Sequence, residues 1–134
     1  MRKLFDNISA NVSLDAETYT AVTAGAHVID TQGFYDGMLV AVAGDVTDTT
    51  GDSYAIRVME CDTTDGEFVT TGIEVSFADD NNSNTLKSAR IPELNVARKR
   101  YLRADLVCTA TTTSFEGSAI ILLGEATAAP VNSD

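Results

Sequence analysis

An all-β fold, a single-domain antiparallel β-sandwich, is what this sequence predicts, and three observations carry the prediction. Turn signals recur at short spacing: Gly25, Asp36-Gly37, Gly44-Asp45, Gly51-Asp52, Asp65-Gly66 and the run Asp79-Asp80-Asn81-Asn82. The segments between them are short and rich in Val and Thr, the composition of strands in a sandwich or barrel. No stretch carries an apolar stripe at helical spacing. A chain of 134 residues with a hydrophobic fraction of 44% suits one domain with a sizeable core.

The strands follow in order. Gly37 to Ala43 (Gly-Met-Leu-Val-Ala-Val-Ala) is apolar at both alternations, which reads as a strand central in its sheet. Ser53 to Cys61 alternates: Tyr54, Ile56 and Val58 share one side, while Arg57 and Glu60 are expected near the ends or outside. Asp62 to Gly66 makes a hairpin-like loop, and Glu67 to Phe77 returns as one or two strands. In Lys99 to Cys108 the apolar side is Leu102, Ala104, Leu106 and Cys108. Tyr101, Arg103 and Asp105 lie opposite, on a wet or partner-facing side. Gly117 to Gly124 (Gly-Ser-Ala-Ile-Ile-Leu-Leu-Gly) is doubly apolar and again reads as central. Residues 1–20 are polar and weakly patterned and are expected to form an N-terminal arm that orders on a partner. Residues 21–126 then form the sandwich and 127–134 a short polar tail.

Charge narrows the partners. The formal net charge is −11, which disfavours nucleic acid and anionic membranes, both of which require clustered cations. The N-terminus has no apolar h-region, and the apolar runs are too short to span a bilayer, so use inside a cell, or release by lysis, is expected. Cys61 and Cys108 are too few for a disulfide framework and fit no zinc spacing.

Catalytic patterns do not emerge. His27 is the single histidine, and the glycines lack phosphate-loop spacing, so no enzyme and no cofactor is expected. Asp45, Asp48 and Asp52 crowd one loop without EF-hand spacing, which favours a solvated loop over a calcium site. Without tryptophan, a sugar-stacking surface would rest on Tyr19, Tyr35, Tyr54 and Tyr101. The uneven feature is a basic cluster. Of nine Lys and Arg, six fall between Lys87 and Arg103 (Lys87, Arg90, Arg98, Lys99, Arg100, Arg103), while the first eighty residues hold fifteen of the twenty acids. Such polarity guides docking between copies or onto a second protein, and it also serves an edge strand as a guard against aggregation.

Several segments together resemble a known family. Phe34 to Asp48 is similar to a strand followed by an Asp/Thr-rich loop. Tyr54 to Asp62 with Asp65-Gly66 is similar to the next hairpin. Lys99-Arg-Tyr-Leu-Arg-Ala-Asp-Leu-Val107 resembles a late basic and aromatic strand, and Gly117 to Gly124 with Pro130 resembles the last strand and its tail. The family is the small head-associated proteins of tailed phages, including the jelly-roll cement proteins that decorate the capsid. The likeness covers roughly Thr31 to Val131 and departs from it between Ile73 and Pro92, which is longer and more polar.

What the resemblance implies is a jelly-roll-like sandwich on the outer capsid surface of the virion, assembled in the host cytoplasm. It would bridge subunits of the major capsid protein as a homo-oligomer, a dimer or trimer, with no nucleic-acid or membrane partner. The expected contact residues are Arg98, Lys99, Arg100, Tyr101 and Arg103 on the late strand, and Arg2, Lys3, Leu4 and Phe5 in the arm. The alternative is a carbohydrate-binding or adhesin-like sandwich, which would depend on tyrosines or bound calcium.

Overall fold

The structure is a computed structural model and describes residues 4–47, 53–78, 84–108 and 114–126. After a single helical turn, α1 (Leu4–Asn7), come eight strands: β1 (Ser9–Tyr19), β2 (Ile29–Asp30), β3 (Phe34–Thr47), β4 (Ser53–Cys61), β5 (Val69–Ala78), β6 (Thr85–Ile91), β7 (Tyr101–Cys108) and β8 (Ser114–Ala126). They form two four-stranded antiparallel sheets, as expected of an all-β sandwich. Sheet A has the order β1-β8-β3-β6 and sheet B the order β2-β7-β4-β5. The pairing is nested: β4 with β5, β3 with β6, β2 with β7 and β1 with β8. Every connection except β4–β5 therefore crosses from one sheet to the other.

Period-two alternation decides which side chains meet between the layers. Leu39, Ala41 and Ala43 of β3 and Ala119, Ile121 and Leu123 of β8 point inward from sheet A. Tyr54, Ile56 and Val58 of β4 and Leu102, Ala104 and Leu106 of β7 point inward from sheet B. Phe115 joins the layers. Its ring centroid lies 5.6 Å from that of Tyr54 and 5.4 Å from that of Phe77, tilted in both cases, as aromatic quadrupoles favour. Each fully buried side chain of this size contributes on the order of 1.5–3 kcal/mol of transfer free energy.

Two seams close the sandwich at its sides. At one, the buried Ser13 hydroxyl of β1 donates to the His27 carbonyl at 2.8 Å and accepts the Ala104 N–H of β7, also at 2.8 Å. The chain after β1 runs along β7, bonding through Thr23 to Leu106 and then pairing as β2, so the β7 edge is covered. Gly25 is required there, because a Cβ would come within 2.3 Å of the Ala104 carbonyl oxygen. At the other seam, Lys87 of β6 points inward, donates to the Ser76 carbonyl of β5 and sits 5.4 Å from the centre of the Phe77 ring. An inward lysine on an edge strand also makes that edge a poor template for further pairing.

Several expectations need correction. Residues 9–19 of the expected arm are β1, held in sheet A by pairing with β8. Their weak pattern reflects register shifts between Val12 and Leu14 and between Leu14 and Glu17, which break the alternation. Asp36-Gly37 and Gly44-Asp45 lie within β3 rather than in turns; the second pair sits at a register shift between Ala43 and Val46. Glu60 is on the inward side of β4 and buried. The expected turns at 51–52 and 79–82 and the tail 127–134 lie outside the described residues.

Removing the Ser13 hydroxyl leaves the buried Ala104 N–H without its acceptor, and an unsatisfied buried donor costs about 1–3 kcal/mol. Ser13→Ala is therefore expected to lower the unfolding free energy by that amount in urea titration, with an unchanged m-value. A loss below about 0.5 kcal/mol would mean the seam is closed by other contacts.

Candidate interaction surfaces

The basic cluster sits on a rigid connection. Between β6 and β7 the chain turns through Glu93 and Asn95, both at positive φ, and plugs the fully buried Leu94 into the core. The Asn95 amide donates to the carbonyls of Thr31 at 2.7 Å and Phe34 at 2.9 Å. Glu60 accepts the Lys99 N–H at 3.0 Å. Residues 98–103 are thus fixed beside β2 and the end of β4.

Every cation of that segment already has a partner in its own chain. Arg98 reaches Glu60 at 3.8 Å and donates to the Thr71 carbonyl at 3.2 Å. Lys99 is 3.7 Å from Asp62. Arg100 binds Asp30 through two bonds of 2.9 Å, donates to the Gln32 side-chain oxygen at 2.6 Å, and covers the Tyr101 ring. Arg103 forks onto Asp105 at 2.7 and 2.9 Å and lies 4.3 Å from the centre of the Phe68 ring. Asp105 also accepts the Gly25 N–H at 2.9 Å, so the carboxylate expected on the wet side is buried beneath a guanidinium and a strap of backbone.

This part of sheet B is consequently a mosaic of neutralised pairs, continued by Arg57 and Glu74 at 3.0 Å. The five expected contact residues are brought together, four as paired cations and Tyr101 beneath Arg100. Of the expected arm contacts, Arg2 and Lys3 lie outside the described residues. Leu4 and Phe5 are on α1, 75% and 53% exposed.

Other candidates disperse. Tyr19 and Tyr54 are in the core, Tyr35 is exposed, and Tyr101 lies beneath Arg100, so the four tyrosines share no platform. Asp45 is exposed on β3, while Asp48 and Asp52 lie outside the described residues. His27 Nε2 is 2.9 Å from Asp15 on the surface. Ser13 bonds the backbone of His27 rather than its ring. Cys61 and Cys108 stand at opposite ends of the β4·β7 pair and form no disulfide.

A second surface was not anticipated. The outer side of sheet A is mainly apolar in successive cross-strand rows: Ala10, Leu122 and Met38; then Val12, Ile120 and Val40, ending in Ser88; then Val42 between Leu86 and Ser118. Leu86 is 63% exposed and Val12 47%. Arg90 closes the first row at the β6 edge, bonded to Asp36. A groove of about 160 Å³ at one end, lined by Ile8, Met38 and Leu122 with Asp36 and Glu125 also bordering it, carries the apolar surface toward α1. The signal was present in the doubly apolar runs of β3 and β8. Centrality in the sheet accounts for only one of their two sides, because a two-layer sandwich has no third layer.

The chain matches no protein-family model, and no curated protein shows significant similarity to it.

The Arg100 guanidinium holds the Asp30 carboxyl below the usual carboxylate range, chiefly through its hydrogen bonds and in part by its charge. A folded pKa below the unfolded one, about 3.9, means that the unfolded state binds more protons in acid. The stabilisation is therefore complete above that value and is lost as pH falls through the folded pKa. Arg100→Met is expected to return the Asp30 midpoint, followed by carbon-13 carboxyl resonances, toward about 3.9. It should also flatten the fall of stability with pH below about 4.

Proposed function

We propose that this chain is a structural virion protein of the cement class, which binds the outer surface of a phage capsid and stabilises the shell by bridging its subunits. The observation that carries the reading is that one rigid two-layer body presents two unlike outer faces. Sheet A is apolar, and sheet B is tiled with ion pairs. Two chemically distinct surfaces on opposite sides of a stiff sandwich suit a molecule that holds neighbours in fixed relation. The nested antiparallel pairing of the two sheets supports the same reading, because a jelly-roll-like sandwich requires it.

The mechanism is physical. A protein that binds the assembled lattice and not its dispersed subunits stabilises the lattice by mass action. Repetition over many equivalent sites lets modest contacts accumulate through avidity. Arg98, Lys99, Arg100 and Tyr101 present planar, pre-neutralised pairs to the shell. Arg103 is held over Asp105 and the Phe68 ring beside them.

The test is co-sedimentation of the purified protein with empty, undecorated shells of the same virus. Saturation at a fixed ratio to capsid subunits, with shells disrupted at a higher temperature, is the expected result. Absence of binding overturns the proposal. Arg100→Glu, at a half-exposed position away from the core, is expected to weaken binding at least about tenfold, the effect of losing roughly 1.4 kcal/mol. Unchanged affinity would place the contact on another part of the surface.

A further inference from the structure

From the face itself, we infer that the outer side of sheet A is a self-association surface, covered by the same face of a second copy of this chain. The contact adds a copy-to-copy interface to the capsid reading and stands independently of it.

Shape comes first. The face is a pleated four-stranded sheet whose outward positions are mostly branched or long apolar side chains (Val12, Met38, Val40, Val42, Leu86, Ile120 and Leu122), with Ser88 and Ser118 between them. Side chains standing on one pleated, twisted sheet can interdigitate with those of another lying about 10 Å away at a small angle. A second copy supplies such a surface, and a twofold contact makes each row the complement of itself.

Charge selects the same occupant. With twenty acids against nine Lys and Arg, two copies repel each other through most approaches. The cations that might offset this, Arg57, Arg98, Lys99, Arg100 and Arg103, are bound to acids of their own chain. The three apolar rows of sheet A carry no carboxylate; the acids of this face lie beyond them, Asp36 paired with Arg90 at one end and Glu17 and Glu116 at the other. An approach over these rows brings apolar side chains together and meets carboxylates only at the rim.

Area sets the strength. Four strands about 4.8 Å apart and seven residues rising about 3.3 Å each give a face on the order of 450 Å² in plan. Two such faces bury roughly 900 Å² or somewhat more, at the low end for specific contacts. The association is therefore weak and reversible in free solution, and becomes extensive only where copies are held close, as on a lattice.

Sedimentation velocity on the purified chain across a concentration series up to about 500 µM, at about 50 and 500 mM salt, tests the inference. The expected result is a monomer–dimer equilibrium that strengthens severalfold at the higher salt, because screening removes repulsion and leaves apolar contact intact. Met38→Glu with Val42→Glu is expected to abolish the dimer. Ile120→Lys should do the same, which excludes added negative charge as the cause. Both variants keep their inward neighbours and should melt within about 3 °C of the parent. A parent that stays monomeric throughout, a dimer that weakens as salt rises, or a dimer untouched by these variants would each overturn the inference. Shell co-sedimentation of the same variants separates the two proposals. If the parent is monomeric and the variants no longer bind shells, this face meets the capsid instead. If dimerisation is lost and single-site shell binding survives, the face joins copies only.

Discussion

Nested antiparallel pairing organises everything else in this molecule. The β4–β5 hairpin closes locally, and β3·β6, β2·β7 and β1·β8 wrap around it in turn, each bringing together segments farther apart in sequence. The wrapping places β1 and β6 at the edges of sheet A and β2 and β5 at the edges of sheet B. Those edges meet at the two sides of the sandwich, where the least regular chemistry is found: the Ser13 hydroxyl at one side and the inward Lys87 at the other. Between them Phe115 is held against Tyr54 and Phe77, so the layers are locked at the middle as well as at the seams. Non-local pairing of this kind closes long loops before any contact rewards it, and the fold should form slowly for its size.

How much of this was legible in the sequence depends on whether the signal was local. The strands β3, β4, β7 and β8 were visible because each holds a long stretch of regular alternation, in β3 the residues ahead of its shift after Ala43. The strand β1 was not, because two register shifts scramble its alternation and leave Ser13 as an inward residue. Nor was β6, whose inward side holds Thr85, Lys87 and Ala89 before the buried Ile91 while Leu86 faces out. The basic cluster was plain from composition, but its neutralisation was not. Asp30 and Arg100 lie seventy residues apart, and Glu60 reaches Lys99 across thirty-nine. No reading of neighbouring residues reveals such pairs. The apolar outer face is present in the sequence as doubly apolar runs, which predict a central strand but not what covers its second side, because the number of layers cannot be read from a strand.

Those pairs change what the cluster does. A guanidinium already forked onto a carboxylate adds little long-range attraction, and exposed pairs contribute only about 0–1 kcal/mol to stability. Their value here is positional. Arg100 with Asp30 ties the start of β7 to β2. Arg103 with Asp105 and the Gly25 amide ties β7 to the strap after β1, and Glu60 anchors the β6–β7 connection to β4. The same residue types that suggest a docking patch in the sequence thus hold one corner of the sandwich rigid, and a partner would meet a planar, pre-organised surface there rather than free charges.

The balance of acid and apolar surface follows from the same division of labour. Among the described residues each Lys and Arg is committed, to a carboxylate or, for Lys87, to the Ser76 carbonyl, so the uncompensated charge of the surface is acidic. An exposed apolar sheet face is ordinarily an aggregation hazard, because any similar surface can cover it. Net charge acts against that at long range, keeping copies apart unless they approach through the rows of sheet A, where acids stand only at the rim. Repulsion and apolar contact therefore work on different scales. The charge sets how seldom two copies meet in dilute solution, and the rows of Val, Ile, Leu and Met on sheet A set what they do when something else brings them together.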